Sequence, residues 1–383
     1  MKKIAKLSLI TAVAIAGFTT SASADSLAEA FAASKVKGEI RAQYFAEDYE
    51  AAAGKENSDI SLLGGSLGIK TGSYYGLYAG ATFYTSHVID KDDVDGITKK
   101  DEDVSGSVLA EAYLAYSVDN TTLKIGRQHL KTPLLGNSSS RLIKDSFEAI
   151  TLVNTDLPDT TIVVGYVDKM STRADQAGNV GKFEQVSKDG AYTLLIGNKS
   201  IENLALTAQY ATVQDTQDAD LMFLEASYKL GDVKLSAEYL GSDNGNTTNS
   251  NGSMYGLKAD ANISGLSITG AYTSTDDETD VLYGLGEGSY VAYTKLTVGS
   301  GKNAYKADTD AYMIKASYKI SDVKLGLGYA SYDFNTSNTE KTESEITLAY
   351  ALNKNTSIGG SYSTFGKDDT KDSEARVNLS YKF

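Results

Sequence analysis

The 383-residue chain has no cysteine and no tryptophan, and only two prolines, Pro133 and Pro158. Without cysteine there is no disulfide scaffold, thiolate zinc site, iron–sulfur cluster or thiol nucleophile. After the N-terminal segment no apolar stretch approaches the roughly 20 residues of a membrane-crossing helix, which excludes a bundle of such helices. The long helical patterns and large apolar runs that a soluble chain of this length would need are also missing. Positive charge is in deficit, with 36 Lys+Arg against 50 Asp+Glu and a formal net charge of −14. Such a chain is a poor nucleic-acid binder, because phosphate contacts require lysine and arginine clustered on one face. What is plentiful is tyrosine, with 26 residues, and glycine, with 35.

The first residues read as an export signal. Met1, Lys2, Lys3 and Lys6 form a basic start, Leu7 to Phe18 an apolar centre, and Ser21-Ala22-Ser23-Ala24 a small-residue end. This predicts a secretory signal peptide over residues 1–24, cleaved after Ala24, its apolar centre being too short for a retained anchor. Loss of the three signal lysines takes the formal charge from −14 to −17. Ser26 and Glu29 then stand at capping-box spacing, with Leu27, Ala30 and Phe31 on one stripe, which predicts a short periplasmic helix within residues 25–35.

From residue 36 to residue 383 the period is two. Val36, Gly38, Ile40, Ala42 and Tyr44 alternate with Lys37, Glu39, Arg41 and Gln43. The clearest unit sets Met222, Leu224, Ala226, Tyr228 and Leu230 on one face and Glu225, Ser227 and Lys229 on the other. Gly231-Asp232 turns the chain, and Val233, Leu235, Ala237 and Tyr239 continue the apolar face. A near copy runs from Ile314 to Tyr329 around Ser321-Asp322.

In a soluble sandwich the polar face of such strands would meet water and the apolar face would build a mixed core. Here Leu, Ala, Val and Gly occupy mid-strand, tyrosines mark the strand ends, and short connections alternate with long ones. Strands of roughly ten residues with that asymmetry predict an all-β fold, a transmembrane antiparallel β-barrel with short periplasmic turns, long outer loops and a polar lumen. Strand starts fall near Val36, Ile60, Tyr74, Ser105, Thr121, Asp145, Thr160, Gly190, Glu202, Ala219, Val233, Gly252, Leu266, Thr309, Val323, Glu343, Thr356 and Ser373. That makes about eighteen, an even number that keeps both termini in the periplasm. Thr275 to Asp308 is assigned to one long outer loop. The others are Glu47 to Asp59, His87 to Val104, Lys131 to Lys144 and Lys169 to Asp189. The last strand alternates Val377, Leu379, Tyr381 and Phe383 with polar residues and stops on an aromatic ring, which resembles the insertion signal of bacterial outer-membrane barrels.

A barrel of about sixteen to eighteen strands encloses water, so selectivity must come from loops or charges that narrow it. The segment 131–145, KTPLLGNSSSRLIKD, is the constriction candidate, with a proline, the apolar pair Leu134-Leu135, a flexible stretch, Arg141 and Lys144. Leu123 and Ile125 face lipid, and strict parity would send Arg127 there too, at roughly 2–4 kcal/mol near the midplane. A bulge at Gly126 is expected to swing Arg127 into the lumen. Lumen parity also takes Glu111, Lys124 and Arg41.

The stretch VLAEAYLAYSVDNTTLKIGRQHLKTPLLGNSSSRLIKDSFEAI, with its Lys-x-Gly-Arg-Gln strand and Thr-Pro-Leu-Leu loop, resembles the fourth-strand-to-third-loop region of OprD-type porins. LLGGSLGIKTGSYYGLYAGATFY and DSLAEAFAASKVKGEIRAQYF resemble the same family's first hairpin and N-terminus. The resemblance implies an 18-stranded barrel with an inward third loop, passive uptake of small solutes, and a basic track that guides carboxylates. By motif position it carries over Arg127, Arg141 and Glu148. The chain departs from the better-known members in its shorter loops and few arginines. It is also similar to the major outer-membrane porins of Campylobacter-like bacteria, which implies a homotrimer. The partners implied are outer-membrane lipid and lipopolysaccharide outside the wall and small hydrophilic solutes and ions within it, with no cofactor and no metal.

Other classes fit less well. A barrel enzyme would carry a Ser-His-Asp type of arrangement, and only His87, at an outer loop, and His129, at a strand end, are present. A plugged, gated transporter needs a folded plug ahead of the barrel. A non-conducting structural or adhesive barrel is the remaining rival. Asp276, Asp277, Asp308 and Asp310 lack the spacing of a calcium loop. Acidic runs such as KDDVDG and STDDETD predict mild cation selectivity at the mouth.

Overall fold

The structure, a computed structural model, describes residues 24–49, 57–92, 104–175, 178–214, 219–245, 251–296, 300–367 and 370–383. A short helix α1 (Leu27–Ala32) precedes β1 (Lys35–Asp48), β2 (Ser58–Lys70), β3 (Leu77–Lys91), β4 (Gly106–Val118), β5 (Thr121–Gln128) and β6 (Ser146–Asn154). Next come β7 (Thr160–Ser171), β8 (Phe183–Gln185), β9 (Ala191–Asn198), β10 (Leu204–Val213), β11 (Ala219–Leu230), β12 (Val233–Asn244) and β13 (Asn251–Ile263). The wall ends with β14 (Leu266–Thr275), β15 (Thr309–Ile320), β16 (Val323–Phe334), β17 (Thr339–Ala351), β18 (Thr356–Lys367) and β19 (Thr370–Lys382).

Each wall strand pairs antiparallel with its neighbours in sequence, and β1 pairs with both β2 and β19, so the sheet closes on itself. The three-residue β8 only extends the outer end of β7, which pairs directly with β9. The wall is therefore a closed barrel of eighteen strands. The starts read at Thr121, Thr160, Ala219, Val233, Leu266, Thr309, Val323 and Thr356 coincide with the observed first residues. Some boundaries differ. β3 continues through His87 to Lys91, Lys169 lies within β7, and Glu343 lies inside β17. The reason in each case is ladder pairing that extends the strand above the apolar band, where side-chain alternation gives no signal. Most of the expected signal peptide and much of the expected loops Glu47 to Asp59 and His87 to Val104 lie outside the described residues.

The short connections need backbone in the left-handed region. Gly231 takes φ +60° at the Gly231-Asp232 turn, and Ser321 takes φ +54° at the same place in the near copy. At the barrel's seam the Phe383 N–H donates to the Gly38 carbonyl at 3.0 Å, and the Gly38 N–H donates to the Phe383 carbonyl at 2.9 Å. The Phe383 ring lies over Gly38, where a Cβ would come within 2.1 Å of a ring carbon. Below the wall, the Glu29 N–H donates to Ser26 Oγ at 3.2 Å, capping α1, while the Glu29 carboxylate accepts from the Asp25 N–H at 3.0 Å. The helix docks on the turn after β2 through the Gly72 N–H, which donates to the Ala30 carbonyl.

Apolar side chains cover the outside of the wall. Ile314, 57% exposed, stands between Tyr312 and Tyr318, and exposed leucines share the outer face with a tyrosine on β12, β13, β16 and β19. The interior is filled unevenly. On β10 to β16 the outer halves of the strands turn Ala211, Leu221, Phe223, Leu240, Met254, Met313 and Tyr332 inward. These pack against Val281, Ala292, Leu296 and Tyr305, from the long connection between β14 and β15. That connection is a loop, as its sequence was read, but it folds into the barrel instead of standing above it.

If Ile314 faces hydrocarbon, Ile314→Arg will destabilise the barrel by about 2–4 kcal/mol. Lys315→Leu, one residue along on the lumen face, will not carry that cost. Denaturant titration of protein folded into lipid vesicles checks the pair, and equal effects would contradict the assigned faces.

Candidate permeation site

The segment after β5 crosses the lumen. On one side, Arg41 on β1 donates from Nη1 to the carbonyls of Ser139 (3.0 Å) and Arg141 (3.3 Å), and Gln43 Nε2 donates to the Ser140 carbonyl at 3.1 Å. On the other, the Leu134 N–H donates to Gln209 Oε1 on β10 at 2.9 Å. β1 and β10 lie on opposite sides of the wall, so this one loop spans the diameter. Its backbone polar groups are satisfied by side chains that the wall turns inward, as a buried loop requires. Leu134 and Leu135 are buried against lumen residues and the second inward loop.

The two inward loops meet backbone to backbone. The Leu285 N–H donates to the Leu134 carbonyl at 2.9 Å, and the Gly136 N–H donates to the Leu285 carbonyl at 3.0 Å. A Cβ at Gly284 would fall 1.9 Å from the Leu134 carbonyl oxygen, and one at Gly288 would fall 2.4 Å from that of Asn137. Only glycine permits so close an approach. Asp145 clasps the junction, with Oδ1 accepting the Arg173 N–H at 2.8 Å and Oδ2 the Glu287 N–H at 2.7 Å. Burial pushes this carboxyl above the usual carboxylate range, against the two donors, which favour its charged form. In the second loop, burial and the neighbouring Lys315 charge push Lys295 down to about 8.

With the β10 to β16 side filled, the open space lies against β19 and β1 to β5. Under the crossing loop this space is a chamber of about 670 Å³, lined by Lys35, Lys37, Lys70, Lys124, Lys144, Lys354 and Lys382. The acidic residues of the lining are Glu39 and Glu111. Glu39 is paired with Arg41 at 3.0 Å, and Glu111 accepts from Thr82 Oγ1 at 2.7 Å. Three ammonium groups sit over tyrosine rings: Lys70 over Tyr78 (4.1 Å), Lys124 over Tyr113 (4.4 Å) and Lys144 over Tyr84 (5.9 Å). Burial, and then the Arg41 charge, holds Lys144 below the usual lysine range.

Arg41, Glu111, Lys124 and Lys144, all singled out in the sequence, thus share one chamber and its roof. Arg141 is buried at the crossing loop's contact with β1, its guanidinium 5.2 Å from the centre of the Phe45 ring, which Arg376 approaches to 5.1 Å. Arg127 and Glu148 are elsewhere. The ladders of β5 run through Gly126 without a register shift, pairing Tyr113 with Gly126 and Ala112 and Glu148 with Arg127. The expected bulge is instead in the flanking ladders, where Ala110 and Asp168 are the extra residues. Arg127 therefore keeps the parity of Ile125 and stays on the outer face of the wall. There Nε meets Glu148 Oε1 at 2.9 Å, Lys169 meets the other oxygen at 3.0 Å, and the guanidinium lies 4.1 Å from the centre of the Phe183 ring. This group sits one ladder step beyond the Tyr166–Tyr192 ring contact, at the rim and not at the midplane. A local carboxylate makes that position tolerable, and no bulge is needed.

Several chamber residues were not singled out in the sequence. Lys35, Lys37 and Lys382 share lumen parity on strands whose alternation was already legible. Lys70 and Lys354 lie at strand and turn ends. His129 lies against this chamber with Nδ1 at 3.0 Å from the Asp145 carbonyl, a lumen position beside the crossing loop. Among the described residues no cluster of metal-ligating side chains occurs. Asp276 accepts from the Ser253 N–H and Oγ, and Asp310 from the Tyr272 hydroxyl.

A closed barrel with an apolar exterior and a charged interior has the architecture of an outer-membrane β-barrel. A family model described as Gram-negative porin matches residues 11–372. The chain belongs to that Gram-negative porin family. Among solved structures it is similar to OccAB4 of Acinetobacter baumannii, at 16% identity over 91% of this chain and 98% of that one, TM-score 0.76. OccK9 (OpdG) of Pseudomonas aeruginosa superposes with TM-score 0.77 at 17% identity, covering 92% of this chain and 99% of that one. OpdK of the same organism, crystallised with vanillate, gives 0.74 at 15% identity over 91% and 98%. The OprD-type resemblance read in the sequence agrees with these folds. No curated protein matches the sequence.

Asp145→Asn will leave one buried N–H without an acceptor at a cost of about 1–3 kcal/mol, raising the ratio of channels with parted loops to intact ones by roughly five- to 150-fold. Gly284→Val will part the loops outright. Both will show as larger, noisier single-channel currents. Arg127→Ala will leave the conductance of the folded channel unchanged, and a changed conductance would return Arg127 to the lumen.

Proposed function

We propose that this chain is a porin for passive diffusion of small hydrophilic solutes and ions, narrowed by the loop 131–145 and favouring anions. The observation that carries the reading is the chamber beneath that loop, where seven lysines face two carboxylates, each already held by a partner. Of the acidic runs that suggest cation selectivity, KDDVDG lies mostly outside the described residues, and in STDDETD Asp276 is held by Ser253 and Asp280 by Lys306. Fields from exposed groups fade over about 8–10 Å at physiological salt, whereas a solute in the chamber passes within contact distance of the lysines. Local charge should therefore outweigh the net charge of the chain. A purely adhesive barrel has no use for a continuous lysine lining.

Planar-bilayer recording of the purified protein in a KCl gradient tests the proposal. We expect discrete conductance steps and a reversal potential toward that of chloride. Lys124→Glu with Lys144→Glu should move it toward potassium. No conductance would favour the adhesive reading, and potassium selectivity in the unmutated protein would restore the inference from net charge.

A further inference from the structure

The chain has five arginines, and each has its guanidinium engaged by the protein itself. Arg41 holds Glu39 and two loop carbonyls, and Arg376 is paired with Glu374 and lies over Phe45. Arg173 binds Glu287 at 3.4 Å and Ser140 Oγ at 3.1 Å, while Arg141 is buried beside Phe45 and Arg127 is outside the lumen. The open space therefore offers a solute no guanidinium fork, the group that grips a planar carboxylate through two parallel hydrogen bonds. It offers ammonium groups, which act as point charges. Lys70, Lys124 and Lys144 are held over tyrosine faces, so their positions are defined. Lys35, Lys37, Lys70 and Lys124 line the same chamber, which sets several like charges around one space.

Resting on the porin reading above, we infer that the chamber selects solutes by valence, taking small, multiply charged anions ahead of singly charged planar carboxylates. The class comprises inorganic oxyanions such as sulfate and phosphate together with short dicarboxylates. A multivalent anion relieves repulsion among several lysines at once, whereas a monovalent one relieves it at a single site. One additional unit of charge about 5 Å from one ammonium is worth about fourfold in occupancy even at the dielectric constant of water. Several lysines compound that factor, less what salt screens.

The test uses the full-length folded channel in planar bilayers bathed in chloride, with sulfate, phosphate, succinate, formate or benzoate added in turn. Sulfate, phosphate and succinate should reduce the chloride current at similar concentrations. Formate and benzoate should require concentrations at least about tenfold higher. Lys124→Gln should weaken the multivalent block several-fold. Lys354→Gln with Lys382→Gln, at exposed positions on the periplasmic side, should do the same without burdening the fold. Benzoate acting as strongly as succinate, or block unaffected by either set of variants, would overturn the inference and leave a conducting porin intact. Absence of any conductance would overturn both readings.

Discussion

The structure depends on one constraint: backbone N–H and C=O groups that meet hydrocarbon must find partners within the protein. A sheet satisfies them only if it has no edge, which is why β1 pairs with β19 as well as with β2. Closure with strands of this number fixes a wide interior. It also separates the two faces of every strand, since successive side chains point oppositely. Ile314 and Lys315 are neighbours in the chain and solvated by different liquids. A wall of this kind is made selective by what lines and fills its inside, the side chains turned inward and any loops folded into the lumen.

Folding a loop inward repeats the backbone problem in a smaller space. A loop drawn into the lumen carries N–H and C=O groups that water no longer serves fully, and the wall must answer them. Arg41, Gln43 and Gln209 do so with side chains, and Asp145 does so at the junction of three connections. The loops must also be thin enough to touch, which Gly284 and Gly288 provide. Closing one half of the lumen then leaves the open space at the opposite wall. The chamber's position against β1 to β5 follows from how β10 to β16 are filled.

The lipid-facing pattern could be read from the sequence because hydrocarbon imposes it on nearly every strand, and the strand starts followed. Parity placed Arg41, Glu111 and Lys124 correctly for the same reason. Strict parity held at Arg127 as well, and it was the bulge assigned to Gly126 that failed, because a glycine marks a close approach as readily as an inserted residue. There the Cβ position is taken up by the Ala112 carbonyl 2.3 Å away. The inward folding of the connection after β14 did leave a mark in the sequence. Leu221 and Phe223 alternate with Met222 and Leu224, so both faces of β11 are apolar at its outer end, as on β10, β12 and β15. A lumen face made apolar over half its height announces that something apolar will cover it. Period-two analysis scores only one face and passes over that signal.

The same separation of faces governs the electrostatics. A formal charge of −14 describes the chain as seen from far away, where Glu, Asp and Lys of loops, rim and lumen are summed together. A permeating solute does not sample that sum. On the proposed route through the barrel it would instead meet the lysines of the chamber beneath the crossing loop within contact distance. Coulomb interactions grow as separation and dielectric constant fall, so under the proposed function a few lysines around the chamber would weigh more than a larger number of exposed carboxylates farther away. Under the proposed function it is the position of charges relative to the passing solute that sets selectivity, and that position becomes visible only once the register of the strands and the route of the loops are known.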